Sequence, residues 1–249
     1  MSTVTKPVLF RRSSAPIHWR KTVYACRLID SYRMLNIRSS LPEETVILDS
    51  GRSLGCYSGG SGESSLILLH GLNSYSGTWK RNVDALSSVG RVFAPTLPKV
   101  NLEAGIALHD AVLELSEVVV ELMERMKAGP SVIIGNSMGG WIGLYLAIHR
   151  AELVRSMVLV DSAGVAPPAL HLTGHPAEVS EHLDSIRQPV LIVWGEDDSV
   201  IPLSSATYLH EHIAHSSLHI IREAGHIPHL EKPLEFNSAV LSFLEGREG

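Results

Sequence analysis

One serine in this chain is placed where its hydroxyl could do chemistry. Gly135-Asn136-Ser137-Met138-Gly139-Gly140 follows the β-branched run Ser131-Val132-Ile133-Ile134 and opens into the helical pattern Trp141-Ile142-Gly143-Leu144-Tyr145-Leu146-Ala147. Strand, sharp turn and helix around G-x-S-x-G make a nucleophile elbow. Such a turn forces the serine into a strained backbone conformation, so the residues two before and two after must be small, a need that Gly135 and Gly139 meet. The Ser137 hydroxyl would then stand at the carboxyl edge of a sheet. The Met138 N–H, at the positive end of the following helix, would point to where an oxyanion forms.

A serine nucleophile needs a histidine base, and the histidine needs a carboxylate to fix its tautomer and stabilise its charged form. Carboxylates stand at the ends of two apolar runs: Asp161 after Ser156-Met157-Val158-Leu159-Val160, and Glu196-Asp197-Asp198 after Pro189-Val190-Leu191-Ile192-Val193-Trp194-Gly195. Near the C-terminus Gly225-His226 follows a further apolar run, with His229 three residues on. The chain has 13 histidines, none in HExxH or another zinc spacing, so no metal and no other cofactor is expected.

From about Glu44 to Leu244 the sequence resembles the α/β-hydrolase superfamily, whose triad runs in the order Ser, Asp, His. The family pattern of a glycine, two residues and then the acid selects Asp198 counted from Gly195, with Asp161 the rival position used by some branches. Its Gly-His near the C-terminus selects His226 as base and leaves His229 to a surface role. The resemblance also gives meaning to His70-Gly71-Leu72-Asn73: the His-Gly step shapes an oxyanion loop, and Leu72 would supply the second N–H beside Met138. His70 and Asn73 are the candidates for touching substrate. His70 has the competing role of a buried loop fastener, Asn73 that of a turn residue.

Serine at the elbow separates this chain from the aspartate-bearing dehalogenases and epoxide hydrolases. The expected reaction is cleavage of a small-molecule ester or thioester through an acyl-enzyme. Gly-Asn-Ser-Met-Gly-Gly is also similar to the meta-cleavage-product hydrolases, which makes carbon-carbon cleavage of a vinylogous diketone the alternative. A slow-hydrolysing receptor or a scaffold of the same fold is the non-enzymatic reading. Two departures matter. Pro95-Thr96-Leu97-Pro98-Lys99-Val100 lacks the Asp-x-x-Gly-x-Gly of many members, and only Ala163 to Gln188 separates two strands where capped relatives insert several tens of residues. A minimal cap is expected, with one short helix within Pro176 to Ile186, and Leu170 and Leu172 as walls.

The elements that must hold these residues alternate. Glu44 to Asp49 and Ser53 to Tyr57 read as a hairpin and Ser65 to Leu69 as a buried strand. Trp79 to Ser88 reads as a helix, Arg91 to Pro95 as a strand, and Ile106 to Lys127 as a long amphipathic helix. Ser217 to Arg222 is the last strand and Leu234 to Leu244 the closing helix. Alternation of this kind calls for a doubly wound, mostly parallel α/β sheet of about eight strands. At 249 residues, one domain over 41–249 is ordinary.

Residues 1–40 carry Lys6, Arg11, Arg12, Arg20, Lys21, Arg27, Arg33 and Arg38 against the single acid Asp30. They read as a basic arm to Pro16 and then a helix with Tyr24, Leu28, Tyr32 and Leu35 on one face. An organelle transit peptide is the competing reading. A net charge of -5 gives no sign of nucleic-acid binding. Two cysteines, Cys26 and Cys56, are too few for a disulfide framework, and no apolar run is long enough to span a bilayer. The expectation is a cytoplasmic protein acting on a small molecule, with its oligomeric state undetermined by sequence.

A short cap leaves one wall of the cleft missing, so misfit methylenes should cost far less than the ~1 to 3 kcal/mol of a closed pocket. Across nitrophenyl esters from acetate to decanoate, kcat/KM is expected to vary modestly. A thousandfold fall between neighbouring chain lengths would mean an enclosed pocket.

Overall fold

The computed structural model describes residues 39–101, 107–165 and 177–246. The expected N-terminal arm and helix, and the walls assigned to Leu170 and Leu172, lie outside the described residues. Among the described residues eight strands form one sheet in the order β1-β2-β4-β3-β5-β6-β7-β8. These are β1 (Glu43–Ile47), β2 (Ser53–Gly59), β3 (Ser65–Leu69), β4 (Arg91–Pro95), β5 (Ser131–Asn136), β6 (Val154–Val160), β7 (Val190–Gly195) and β8 (Ser216–Ile221). β2 is antiparallel to both β1 and β4, and every other pairing is parallel.

The central strands are apolar throughout because both faces are covered, as in parallel sheets generally. Side chains alternate between two cores. Ile67, Leu69, Ile133, Met157, Leu159 and Ile192 pack on one face. Leu66, Leu68, Ile134, Val158, Val160 and Val193 pack on the other. The first face is covered by α2 (Leu108–Arg125), α3 (Met138–His149) and α5 (Leu203–His212), the second by α1 (Val83–Leu86) and α7 (Pro233–Leu244). The two remaining helices are short, α4 (Ala177–Glu181) and α6 (Pro228–Glu231).

Strand register determines which loops meet. Leu69 pairs with Gly135, Asn136 with Val160, and Gly195 with Ile221. The loops after β3, β5, β6, β7 and β8 therefore emerge side by side at one edge. The chain leaves β3 toward β4 on one side and returns to β5 on the other, the switch at which doubly wound sheets bind ligands.

Two expectations change. The helix expected over Trp79 to Ser88 is a 3₁₀ turn, Ser76–Trp79, followed by the single turn of α1. The break falls at Asn82, whose buried amide donates to the His229 carbonyl at 2.9 Å and to Asn237 Oδ1 at 2.8 Å. A tertiary demand on that side chain outweighs helix continuation. His229, expected at the surface, is 0 % exposed. Its ring lies 4.2 Å from that of Trp79 and 5.9 Å from that of Phe236.

Burial, with a smaller push from His226, lowers the His229 pKa to about 3. Burial lowers that of His70 to about 4. Both histidines stay neutral in the fold at pH values where the unfolded chain, with an ordinary pKa near 6.5, takes up protons. Stability should be complete above pH 7 and fall as pH drops from about 6.5 toward 4, by at most about 1.4 kcal/mol per unit for each group. Urea midpoints measured against pH check this, and His229→Phe should show the shallower loss.

Candidate active site

The elbow is built by a backbone conformation that the surrounding chain forces. Ser137 has φ 55° and ψ -115°, on the positive-φ side where residues other than glycine are strained by about 1–3 kcal/mol. Its N–H donates to the Val160 carbonyl at 2.9 Å, and its own carbonyl accepts from Gly140, Trp141 and Ala163. A methyl group at Gly135 would collide with Gly139, and one at Gly139 with the Leu69 carbonyl. The turn is thus held from β3, β6 and its own helix at once. Ser137 itself is half-buried, with Met138 opening α3. As the first residue of that helix, Met138 has an N–H with no partner inside it.

Asp198 and His226 meet across the neighbouring loops. His226 Nδ1 lies 2.8 Å from Asp198 Oδ2, with the side chains 5 % and 0 % exposed. Asp198 Oδ1 accepts from Val200 N–H at 2.7 Å and Ile201 N–H at 3.0 Å. Burial works against charge on this carboxyl. The hydrogen bond and attraction of His226, with bonds from Asp161 and Val200, outweigh it and hold Asp198 below the usual carboxylate range. A carboxylate facing Nδ1 requires the proton there, which leaves the Nε2 lone pair to act as a base. The approach depends on Gly195, where a methyl group would strike the carbonyls of Gly225 and Ala224.

Two further side chains connect the pieces. Asn136 Nδ2 donates to the His226 carbonyl at 3.0 Å and to the Val160 carbonyl at 3.2 Å, tying the residue before Ser137 to the loop that carries His226. Glu231, on α6, accepts from Gly225 N–H at 2.9 Å and Ile227 N–H at 3.2 Å, so one carboxylate clamps the peptides on both sides of His226. Neither role is written in local sequence. Each is a contact between segments, and the only local sign of Glu231 is an acid in the first turn of a short helix that begins with proline.

The residues expected to touch substrate serve the scaffold. His70 is 1 % exposed. Its Nε2 accepts from Leu97 N–H at 2.9 Å and its Nδ1 faces the Gly71 carbonyl at 2.8 Å, so both nitrogens are spent on backbone. Asn73, at φ 53°, returns both ends of its amide to Val100, Nδ2 to the carbonyl at 3.1 Å and Oδ1 from the N–H at 2.8 Å. Together they brace the loop after β3 against the loop after β4. Gly71 sits tight on the elbow, where a methyl group would come within 3.3 Å of Ser137 Cβ. Leu72, the next residue, is half-buried.

The α/β-hydrolase-fold family profile matches residues 65–179 and 177–233. The dihydrolipoyllysine-residue acetyltransferase component of the acetoin cleaving system from Pseudomonas putida is 26% identical, covering 75% of this chain and 65% of its own length. The chain thus spans about two thirds of that relative. The 2-hydroxy-6-oxononadienedioate/2-hydroxy-6-oxononatrienedioate hydrolase of Burkholderia vietnamiensis is 23% identical over 74% of this chain and 88% of its own. Among solved structures, a serine hydrolase involved in carbazole degradation superposes with a TM-score of 0.70 at 24% identity, covering 83% of this chain and 99% of that one.

Removing the clamp on His226 tests its importance. Glu231→Ala strips a charged acceptor from two backbone N–H groups, a loss of about 2 kcal/mol in unfolding free energy. Denaturant unfolding measures that cost, and Glu231→Gln, which keeps one acceptor oxygen, should fall between the variant and the parent.

Proposed function

The chain belongs to the α/β-hydrolase family, and on that premise we propose that it is a serine hydrolase cleaving a small-molecule ester or thioester through an acyl-enzyme on Ser137. The observation that carries this reading is the buried 2.8 Å contact between Asp198 Oδ2 and His226 Nδ1. It provides a base with a fixed tautomer, on a loop that Asn136 ties to the serine's own turn.

In the proposed cycle Ser137 Oγ attacks the carbonyl carbon while His226 Nε2 takes its proton. Asp198 stabilises the imidazolium that forms. The N–H groups of Leu72 and Met138 hold the oxyanion, a contribution for which each donor is worth about 10²- to 10³-fold in rate. His226 then gives the proton to the departing alkoxide or thiolate as its bond to the acyl carbon breaks. Water, deprotonated by the same nitrogen, attacks the acyl carbon, and that proton passes from Nε2 to Ser137 Oγ as the Oγ–acyl bond breaks, which releases the acid and restores the enzyme. The residues named supply every proton transfer in this cycle, so it calls for no cofactor.

A second reading is favoured by one relative. The Burkholderia vietnamiensis protein is a 2-hydroxy-6-oxononadienedioate/2-hydroxy-6-oxononatrienedioate hydrolase, which supports carbon-carbon cleavage of a vinylogous diketone as the alternative reaction for the same residues. Comparing kcat/KM on a nitrophenyl ester and on such a diketone separates the two.

Ser137→Ala should abolish labelling by a fluorophosphonate probe and steady turnover of a nitrophenyl ester while leaving the thermal unfolding profile unchanged. Asp198→Asn should lower turnover by about 10⁴-fold, the loss met when a triad histidine is held in the wrong tautomer. Turnover above a few per cent of the parent in Ser137→Ala rules out the nucleophile assignment. Probe labelling of the parent without turnover points instead to a receptor or scaffold.

A further inference from the structure

The cycle above uses one buried acid, yet the structure buries two side by side. Asp161 follows the last residue of β6, is 0 % exposed and holds φ 45°, a conformation that L-residues visit rarely. Its N–H donates to the Val193 carbonyl at 3.1 Å, and its Oδ1 accepts from Gly195 N–H at 3.1 Å. Oδ2 is buried and meets no N–H or hydroxyl donor among the described residues. Asp161, Asp198 and His226 each bring one oxygen or ring nitrogen to within 4.8 Å of the others.

Two adjacent carboxylates out of water would repel each other strongly, and among the described residues the Gly195 N–H is the donor that offsets the charge of Asp161. One proton between them removes the repulsion and gives the orphaned oxygen a role. Burial foremost, then the charge of Asp198 and the hydrogen bond to it, push the Asp161 carboxyl well above its usual range, with Glu231 adding to the push. The same bond helps to hold Asp198 low. The ionisable groups that face Asp161 are therefore Asp198 from the loop after β7, His226 from the loop after β8 and Glu231 from α6.

We propose that Asp161 is a positioning residue: its carboxyl O–H donates to the Asp198 carboxylate, and so holds in place the group that holds His226. It does not touch substrate and gives up no proton during the cycle. Asp198 alone carries the charge opposite the imidazolium. This inference rests on the serine-hydrolase reading for its kinetic consequences, but the protonation of Asp161 can be observed without any substrate.

Two measurements test it on the full chain. Infrared difference spectra between the parent and Asp161→Asn at neutral pH should contain the carbonyl band of a protonated carboxyl, lost in the variant. Its absence would overturn the proposal whether or not the protein hydrolyses esters, and its presence in a protein without esterase activity would uphold the proposal while removing the proposed function. In kinetics, Asp161→Asn keeps both a donor toward Asp198 and an acceptor for Gly195, so kcat should stay within about threefold of the parent with the acid limb of the pH profile in place. Asp161→Ala removes the donor. Loss of one hydrogen bond to a charged group should lower kcat by about ten- to hundredfold at nearly constant KM. The less-satisfied Asp198 would attract the His226 proton more strongly, which moves the acid limb upward by about one pH unit. Equal damage in the two variants would mean that Asp161 acts as an anion, and lowered melting temperatures with unchanged kcat and pH profile would mean that it only supports the fold. A loss of parent activity on chelation, restored by a divalent cation, would place a metal where the proposal places a proton.

Discussion

A carboxylate removed from water must be surrounded by donors, and the Asp198 side chain, fully enclosed, imposes that condition on everything near it. An isolated buried charge of this kind costs several kcal/mol. Here Val200 N–H, Ile201 N–H and His226 Nδ1 answer it, with Asp161 against its remaining flank. Two of these donors come from the carboxylate's own loop and the third from the loop after β8. The loop after β7 must curl to present two of its own N–H groups, and the loop after β8 must come close enough to bring an imidazole. The glycine at 195 is the steric condition for that approach, because any side chain there would meet the backbone of Ala224 and Gly225.

The parallel sheet makes the approach possible. Strands paired in parallel and nearly in register end at the same edge, so segments separated by tens of residues in sequence deliver their loops to one place. β5 and β6 are paired through Asn136 and Val160, which sets the strained serine beside Asp161, and β7 and β8 are paired through Gly195 and Ile221, which sets Asp198 beside His226. Asn136 then joins the two halves with a single amide. A one-residue slip in either pairing would turn these side chains to the opposite face of the sheet.

Much of the polar chemistry at this edge fastens loops to one another. His70, Asn73, Asn136 and Glu231 all direct their side-chain polar atoms to backbone groups. The arrangement follows from a general constraint: loops packed over a sheet edge bury peptide groups that cannot all pair with each other, and each needs a partner. Side-chain amides, carboxylates and neutral imidazoles supply those partners. The neutrality of His70 is part of its role, since Nε2 can accept from Leu97 only while it carries no proton.

The sequence alone determined the layered architecture, because the alternation of short, β-branched apolar runs with helical segments is local. It also marked the elbow, whose glycines flank a serine in five consecutive residues, and it marked the acidic loop and the Gly-His step as places where chemistry was available. It could not decide which side chains would meet. Whether His229 faces water or packs on Trp79, and whether His70 faces a ligand or Leu97, depends on segments far apart in the chain. The same holds for Asp161 and Asp198: adjacent carboxylates become a single proton-sharing problem only after strand register has brought them together and burial has removed the solvent that would have screened them.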